Sequence, residues 1–523
     1  MKRVIVAWAA TVSLVACGEY PQPVVPIPPL TSEIPSASGA AFRAEPGDDS
    51  FRASAPKPGD AVKVDAPVPE VFTLRSGIKV YLIERHDLPI VSVRLASKRS
   101  GAWYDCNGPT KDCAHPAAGA RAFAVAMLEQ GTKSYNALQM SDAFEAIGAQ
   151  HGTWADWDST GVFIKVTADQ LGKGLDLMAE VALRPTFPKA EFDRQRVRRL
   201  ASARAEKDSL SAMAANAIAH SVFDPGASDH YSLSGSPAEL EALKIDQVER
   251  AYRDAFTPNL LGFLIAGDVT RAAITPMLEA RFAIPRSGFH DKPAQRKSGS
   301  GVVRARAIVL VDKPAATQSY VALALLGPDA HTTDRDALAL MNVILGGSFS
   351  SRVNMNLREK NAYTYGARSR FSMRQWSGLF TVGGNMVADK TGAAVVELLA
   401  EFDKIQAEPA TESELTDARE SILMALPGRM ESVMELGSMA ADLFIYGYKE
   451  DELRTLPDRL AKVTIADIQR VAKQHLNKDL HIVIVGDKAK VLPQLESVKG
   501  PRGETLPIAE LDPWGKPLQE NVK

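Results

Sequence analysis

The segment VTADQLGKGLDLMAEVA, residues 166–182, is the best guide to the architecture of this chain, because a second version of it, NMVADKTGAAVVELLAEF, occurs at residues 385–402. In both versions a strand end runs into a helix whose apolar residues recur at helical spacing. Gly172 in the first version corresponds to Gly392 in the second, 220 residues later. We interpret the repetition as one fold that is present twice.

Two further pairs of segments support the duplication. EFDRQR, from Glu191, matches ELTDAR, from Glu414. VERAYRDAFTPNLLGFLIAGDV, from Val248, matches IQRVAKQHLNKDLHIVIVGDK, from Ile468, and each is a helix followed by a strand that ends in Gly-Asp. Helices and strands are mixed within each copy, and hairpins are frequent. The sequence therefore predicts an α+β fold of two homologous halves in a clamshell arrangement, each with a mostly antiparallel sheet flanked by helices.

Composition divides the chain around these two halves. The N-terminal region is rich in Pro, Ser, Ala and Gly and lacks apolar periodicity, which indicates a flexible tether. A stretch rich in Gly, Pro and Lys separates the two copies. The predicted segments are a signal peptide at 1–16, a tether at 17–65, the N-terminal half at 66–284, a linker at 285–303, the C-terminal half at 304–490 and an extended tail at 491–523.

The N-terminus has the features of a targeting signal. Lys2 and Arg3 precede a short apolar run that ends in Leu-Val-Ala-Cys, which resembles the lipobox of bacterial lipoproteins. That resemblance implies cleavage before Cys17 and acylation of this cysteine. Gly18 favours the outer membrane in many Gram-negative bacteria, so we expect a lipid-anchored protein on the periplasmic face of that membrane. An ordinary secretory signal with a chance cysteine is the alternative.

Composition also narrows the class of partner. A net charge of -2 with 45% hydrophobic residues gives the chain no general attraction for nucleic acid. A nucleic-acid partner is therefore not expected. Cys106 and Cys113 flank an Asn-Gly-Pro turn and could form a disulfide in an oxidising compartment, with two free thiols as the alternative.

The segment NVILGGSFSSRVNMNLREKNAYTYGA, residues 342–367, contains the candidate binding residues. Gly346 and Gly347 predict a turn with backbone angles that other residues avoid. Arg358 carries a fork of donors suited to carboxylates and carbonyl oxygens, and the Tyr365 hydroxyl can donate to the same kind of oxygen. Such a pair can hold a peptide or stabilise an oxyanion. The structural alternative is a solvated Arg358 on a helix surface and a half-buried Tyr365 in a strand.

A duplicated α+β chain with these landmarks resembles the zinc peptidase family of insulinase, pitrilysin and mitochondrial processing peptidase, over residues 70–490. The first copy in that family carries an inverted zinc motif, HxxEH, in a helix of the form GLAHFLEHMLFKGT. Its histidines bind the metal, its glutamate activates water, and a glutamate on a later helix completes the ligands. The second copy carries a stretch like LGGGxSSRLxxxLREKRGLAYS. The segment LGGSFSSRVNMNLREKNAYTYGA of this chain is similar to it, which implies substrate-contacting roles for Arg358 and Tyr365.

The first copy of this chain departs from the family motif. It has GARAFAVAMLEQGTKS at residues 119–134, in which Met-Leu and Gly-Thr fix the register. Alanines then replace both histidines, and valine replaces the catalytic glutamate. A catalytic zinc site needs three protein donors, so we expect no metal and no other cofactor in this chain. The residues at the metal positions of the family are Ala122, Val125 and Ala126, with Ala201 or Ser202 at the position of the later glutamate.

In heterodimeric members of the family, one subunit keeps the zinc motif and the other keeps the Arg/Tyr element. The resemblance therefore implies a non-catalytic, substrate-binding subunit, inactive alone, that contributes Arg358 and Tyr365 to the site of a paralogous subunit with an intact HxxEH motif and its zinc. Backbone amides of Gly346, Gly347 and Ser348 are expected to approach the same peptide. The alternative is a lipid-anchored pseudopeptidase that binds peptides or serves as a scaffold without a proteolytic role.

Overall fold

The computed structural model describes residues 65–105, 117–225, 227–284, 306–476 and 479–518. The predicted signal peptide, nearly all of the tether and the linker lie outside the described residues, as do Cys17, Cys106 and Cys113. Within the described ranges, none of the helices combines the length and the apolar character needed to cross a bilayer.

The N-terminal half is a sheet with helices packed on it. Its six described strands lie in the order β1-β2-β6-β3-β5-β4, and every neighbouring pair is antiparallel except β2 with β6. The strands are β1 Glu70–Thr73, β2 Lys79–Glu84, β3 Ile90–Lys98, β4 Gln150–Ala155, β5 Ser159–Thr167 and β6 Leu261–Gly267. The helices are α1 Ala120–Met127, α2 Ala137–Glu145, α3 Leu171–Leu183, α4 Lys189–Ala205, α5 Leu210–Val222, α6 Pro237–Ala242, α7 Ile245–Ala255 and α8 Arg271–Arg281.

The C-terminal half repeats this plan. Its six described strands lie in the order β12-β7-β11-β8-β10-β9, with β7 parallel to β11 and to β12. The strands are β7 Ala307–Asp312, β8 Gln318–Leu326, β9 Arg368–Met373, β10 Gly378–Val387, β11 His481–Gly486 and β12 Ile508–Leu511. The helices are α9 Arg335–Asn342, α10 Arg352–Asn354, α11 Thr391–Ala407, α12 Glu412–Glu431, α13 Val433–Tyr446, α14 Leu456–Lys462, α15 Ile465–His475 and α16 Lys488–Val491.

The predicted α+β fold of two halves is confirmed. Strands β2, β6, β3, β5 and β4 occupy the same places in the first sheet as β7, β11, β8, β10 and β9 in the second. The repeated segment forms the end of β5 with α3 in the first half, and the end of β10 with α11 in the second. A short 3₁₀ turn joins strand to helix in both halves, at Ala168–Gln170 and Ala388–Lys390.

The two halves exchange one helix each. Helix α5 of the N-terminal half packs on β7, β8 and β11 of the C-terminal sheet, and α13 of the C-terminal half packs on β2, β3 and β6 of the N-terminal sheet. The contacts are apolar, for example Met213 and Ile218 in one cluster with Val483, and Leu436 and Met439 in one with Leu264. Because burial of apolar surface is the main stabilising contribution to a fold, each half completes the core of the other.

A positively charged side chain at the end of a strand binds the segment next to each exchanged helix. Arg85, directly after β2, donates to the carbonyl oxygens of Met430 and Glu431 at 2.6 and 2.9 Å, where α12 ends and α13 follows. Lys313, directly after β7, donates to the carbonyl oxygen of Lys207 and to Asp208 Oδ1, both at 2.8 Å, just before α5. These cations bind carbonyls that a helix end leaves without an intrahelical partner.

Buried polar contacts also join the halves. Asp158, in the turn between β4 and β5, accepts a hydrogen bond from the Gln375 backbone N–H at Oδ1 and from the Tyr446 hydroxyl at Oδ2, both at 3.0 Å. Arg374 Nη1 lies 3.3 Å from Oδ2 of the buried Asp229. A buried charge is costly unless it is paired. Moving one half relative to the other would break these contacts, so they favour one relative position of the two halves.

The C-terminal residues return to the N-terminal half. After β12, the indole Nε1 of Trp514 donates to the Ala203 carbonyl of α4 at 3.1 Å, and Asn216 Nδ2 of α5 donates to the Pro513 carbonyl at 3.3 Å. The segment predicted as an extended tail thus contains an edge strand of the second sheet and a contact with the first half.

Candidate functional site

The site begins where α9 runs into the loop before α10. A wide helical turn at Val343–Gly347 extends α9, and both glycines lie at its end. Neither has a positive φ, so neither adopts the backbone angles that other residues avoid. A Cβ at Gly346 would lie 2.5 Å from the Ser369 backbone nitrogen, and one at Gly347 would lie 2.8 Å from Asn342 Nδ2. Glycine is needed at 346 because strand β9 approaches the helix end closely, and at 347 a Cβ would crowd Asn342 at the end of α9.

Buried side chains hold the two loops of the site together. Asn354, which is 4% exposed, donates from Nδ2 to the Phe349 carbonyl at 2.7 Å and accepts from the Ala367 backbone N–H at 3.3 Å. Thr364 Oγ1 donates to the Asn385 carbonyl of β10 at 2.6 Å. The loop before α10 and the loop before β9 are therefore connected by the hydrogen bonds of one buried side chain, Asn354.

Arg358 lies on the helical turn Met355–Lys360 that follows α10. Its guanidinium carbon is 4.5 Å from the ring centre of Phe349, and Nη1 is 3.6 Å from Glu359 Oε1. The Arg358 side chain is 35% exposed, whereas its neighbour Leu357 is fully buried and anchors the turn in the core. A guanidinium that lies over an aromatic face can still donate hydrogen bonds to a ligand from the N–H groups at its edge.

Tyr365 stands in the loop between that turn and β9. It is 91% exposed, and within the described ranges no residue hydrogen-bonds to its hydroxyl. The predicted alternative of a half-buried strand residue is therefore wrong, because Tyr365 precedes β9 and its ring faces solvent. Thr364 on one side, which accepts a hydrogen bond from the Gly366 N–H at 3.0 Å, and the buried Ala367 on the other fix the backbone from which it projects.

The three predicted backbone contacts lie in different surroundings. Gly346 is buried against Ser369, while Gly347 is exposed. Ser348 is half-buried and donates from its hydroxyl to the Val343 carbonyl at 3.3 Å, and its own carbonyl accepts from Ser351 Oγ at 2.6 Å. Gly347, Phe349 and Ser350 are exposed in this loop, and the 57% exposed Phe349 contacts Arg358.

Sequence reasoning missed Phe349 and Asn354 as parts of this site. The only sequence signal for Asn354 was its position four residues before Arg358, which places both on one side of a helix. Reasoning from the sequence also missed the ion pair of Arg352 with Glu414, at 2.6 and 2.8 Å, which holds α10 against α12. Hydrogen bonds from Arg352 lower the pKa of Glu414 to about 2.

The positions that bind metal in the zinc peptidase family carry no metal-binding side chains in this chain. On α1, Ala122 and Val125 are buried and Ala126 is half-buried; on α4, Ala201 and Ser202 are exposed. In the part of the chain that the structure describes, no group of three His, Cys, Asp or Glu residues is placed to hold a metal ion. A zinc ion with three protein ligands does not fit these residues.

A cation occupies the neighbourhood of those positions. Arg199 of α4 donates from Nη2 to the Ala122 carbonyl at 2.6 Å, and its guanidinium carbon is 5.2 Å from the Phe123 ring centre. Burial lowers the pKa of Arg199 to about 10, so it is charged at neutral pH. A guanidinium beside α1 repels a metal cation. Glu129, which follows α1, lies with Oε1 2.8 Å from His151 Nδ1.

Two family models match the chain. Residues 116–225 match the model described as insulinase (peptidase family M16), and residues 242–422 match the one described as peptidase M16 inactive domain. The first range contains the helix with the substituted metal positions. The second contains Arg358 and Tyr365.

Individual proteins are similar over most of the chain. An uncharacterized zinc protease of Streptomyces coelicolor is 24% identical over 406 residues, 76% of this chain and 87% of the relative. The non-peptidase homolog YmxG of Helicobacter pylori is 21% identical over 422 residues, 79% of this chain and 93% of the relative. The crystal structure of a peptidase M16 inactive domain from Pseudomonas fluorescens has a TM-score of 0.71 at 23% identity, over 80% of this chain and 98% of that one.

Proposed function

The chain belongs to the insulinase-like M16 peptidase family, and from that premise we propose that it is the non-catalytic, substrate-binding subunit of a heterodimeric zinc metallopeptidase. Its substrates are unfolded peptides in the bacterial periplasm. Arg358 and Tyr365 contribute to the site of a paralogous subunit that carries HxxEH and the zinc. This chain alone does not hydrolyse peptides.

The proposal is carried by the exposure of Tyr365, at 91%, together with the contact of the Arg358 guanidinium, seven residues earlier in the chain, with the ring of Phe349. A hydrogen bond from a solvated hydroxyl contributes about 0.5–1.5 kcal/mol, because water competes for the same acceptor. The same donor becomes far more effective when a second surface excludes water. Arg358 and Tyr365 would then form one part of a binding site, and the surface of a partner subunit would form the rest and exclude water.

The chemistry of the two side chains fits a peptide backbone. Arg358 can donate two parallel hydrogen bonds to carbonyl oxygens, and Tyr365 can donate a third. Held against the carbonyl of the peptide bond that the partner cleaves, they would stabilise the charge that develops on its oxygen. The exposure of Gly347 and the partial exposure of Ser348 support contacts of their backbone groups with the same peptide.

Names of relatives support both sides of this division of labour. The Streptomyces coelicolor relative is named a zinc protease, and the Helicobacter pylori relative is named a non-peptidase homolog. A family in which some chains hydrolyse peptides and others do not is the setting in which a subunit can lose its metal ligands and keep its peptide contacts.

The proposal includes the location of the protein. The lipobox-like segment before Cys17 supports a lipid anchor on the periplasmic face of the outer membrane. The Pro-rich tether of residues 17–65 would then hold the folded halves on the order of 40 Å from the lipid surface, by the random-coil estimate for a chain of that length.

The test is cleavage of an unfolded polypeptide by this chain, by a paralogue from the same genome with an intact HxxEH motif, and by the two mixed. Reduced, carboxymethylated lactalbumin is a suitable substrate, and disulfide-intact lactalbumin is its folded control. We expect cleavage of the unfolded form that is strongest in the mixture and is lost when this chain carries Arg358→Ala and Tyr365→Phe. Full activity of the mixture with both substitutions would reject the proposal.

A scaffold without a proteolytic role is the second candidate. The substituted metal positions and the non-peptidase name of one relative favour it. It predicts a stable complex with an envelope protein that Arg358→Ala and Tyr365→Phe leave intact. Co-purification of the wild-type and doubly substituted chains from envelope extracts distinguishes the two candidates, since a peptide-binding role predicts that the substitutions change what is bound.

A further inference from the structure

We infer that Asn354 is a positioning residue for peptide binding, which sets the geometry of Arg358 and Tyr365 without touching the peptide. This inference rests on the proposed function, because it concerns the same site. Asn354 differs from Arg358 and Tyr365 in being almost completely buried, at 4% exposed, so it cannot be a contact residue.

Asn354 supports the Arg358 side of the site through Phe349. Its Nδ2 donates to the Phe349 carbonyl at 2.7 Å, which fixes the backbone that carries the aromatic ring. The same ring is the surface on which the Arg358 guanidinium lies, at 4.5 Å. Asn354 also belongs to the helical segment that leads into Arg358, four residues earlier. The Asn354 amide therefore fixes the position of the Phe349 ring, and through that ring the position of the Arg358 guanidinium.

Asn354 supports the Tyr365 side through Ala367. Its Oδ1 accepts from the Ala367 N–H at 3.3 Å, two residues after Tyr365 and at the point where β9 begins. Gly366 lies against the same oxygen, because a Cβ there would be 3.8 Å from Oδ1. An amide is the uncharged side chain of this size that can donate to one loop and accept from the other. Removing it would leave the buried Ala367 N–H and the part-buried Phe349 carbonyl without these hydrogen bonds.

The consequence for binding is a loss of alignment rather than a loss of contact. We expect Asn354→Ala to weaken binding of reduced, carboxymethylated lactalbumin to the full-length chain by about tenfold, measured by fluorescence anisotropy. Asn216→Ala is the matched control. Asn216 is also buried, at 7% exposed, and bonds to Glu206 Oε2 and the Pro513 carbonyl far along the chain from the site. It should lower thermal stability to a similar extent and leave binding unchanged.

A double-substitution comparison separates positioning from general destabilisation. In a chain that carries Arg358→Ala and Tyr365→Phe, adding Asn354→Ala should weaken binding no further, because the side chains that it positions are gone. A tenfold effect that persists in that background overturns the inference, and so does wild-type affinity of the Asn354→Ala chain. If Arg358→Ala with Tyr365→Phe itself binds like the wild type, the proposed function and this inference are both overturned.

Discussion

The guanidinium carbon of Arg358 lies 4.5 Å from the ring centre of Phe349, on the exposed surface of the C-terminal half. The contact orients a long, flexible cation before any ligand arrives, which reduces the conformational entropy lost on binding. It also gives the exposed Phe349 a role that its sequence position does not reveal.

Phe349→Ala is expected to weaken binding of unfolded lactalbumin about two- to fivefold, since cation–π contacts at exposed sites contribute about 0.5–1 kcal/mol. Fluorescence anisotropy with the labelled polypeptide measures the effect. Leu138→Ala, on α2 of the other half, is the control, because Leu138 is equally apolar and 71% exposed. Equal losses in both variants would mean that exposed apolar surface, and not the orientation of Arg358, is responsible.

Gly346→Ala is expected to destabilise the C-terminal half. Its Cβ would lie 2.5 Å from the Ser369 nitrogen, so β9 or the end of α9 must shift, at a cost of roughly 1–3 kcal/mol. Urea denaturation measures the change in the free energy of unfolding. Gly428→Ala in α12 is the matched control, since nothing lies within 4 Å of a Cβ there and alanine favours helix by roughly 0.5–1 kcal/mol. A Gly346→Ala protein as stable as the wild type would contradict the close approach.

Asp158→Asn is expected to remove a pH dependence of stability. Burial raises the pKa of Asp158 to about 6 in the folded protein, against roughly 3.9 in an unfolded chain. Between these values the folded state binds a proton that the unfolded state has released, so this group adds stability as the pH falls from 7 toward 4. Relative to Asp158→Asn, the wild type should gain about 1 kcal/mol in free energy of unfolding from pH 7 to pH 5.

Urea denaturation at both pH values measures that gain. Asp193→Asn is the control, because the Asp193 side chain is 49% exposed on α4 and pairs with Lys189 at the surface. Its stability should follow the wild type at both pH values. If the free energies of unfolding of the wild type and Asp158→Asn differ by the same amount at pH 7 and pH 5, the Asp158 carboxylate is ionised at both pH values, which would contradict the prediction.

Chelation is expected to leave this chain unaffected. Alanine and valine stand at the metal positions of α1, and Arg199 places a positive charge beside Ala122. EDTA should therefore not change the Tm of the purified chain, and elemental analysis after zinc loading and dialysis should find no stoichiometric metal. Retention of one zinc ion per chain, lost together with stability on chelation, would refute the argument from the substituted positions.

Cys17→Ser is expected to release the protein from the membrane. Acylation of this cysteine would be its attachment to lipid, so the variant should move from the membrane fraction to the soluble fraction when cells are separated by centrifugation. Cys106→Ser is the control and should remain with the membrane. A Cys17→Ser protein that still sediments with membranes would point to another form of attachment.

Local patterns in the sequence predicted much of the fold. The helical spacing after Val166, and its return after Met386, follow from the periodicity of a helix with one buried face, and both segments form the strand-to-helix unit expected of them. Thr167 and Gln170 have the residue types and spacing of a capping box, but none is formed, because a 3₁₀ turn occupies Ala168–Gln170 and the Thr167 side chain caps no amide. Capping depends on the angle at which the chain enters the helix, and residue types alone do not fix that angle.

The sequence by itself determined that the fold is duplicated, that the metal positions hold apolar side chains, and that Arg358 and Tyr365 are the polar residues of the second copy worth testing. Those conclusions need residue types and spacings along one stretch of chain. Only the tertiary structure decided that α5 and α13 change halves, that Gly346 touches Ser369, and that Asn354 joins the loops of Phe349 and Ala367. Contacts between segments distant along the chain leave no periodicity in either segment, because they depend on how whole elements pack.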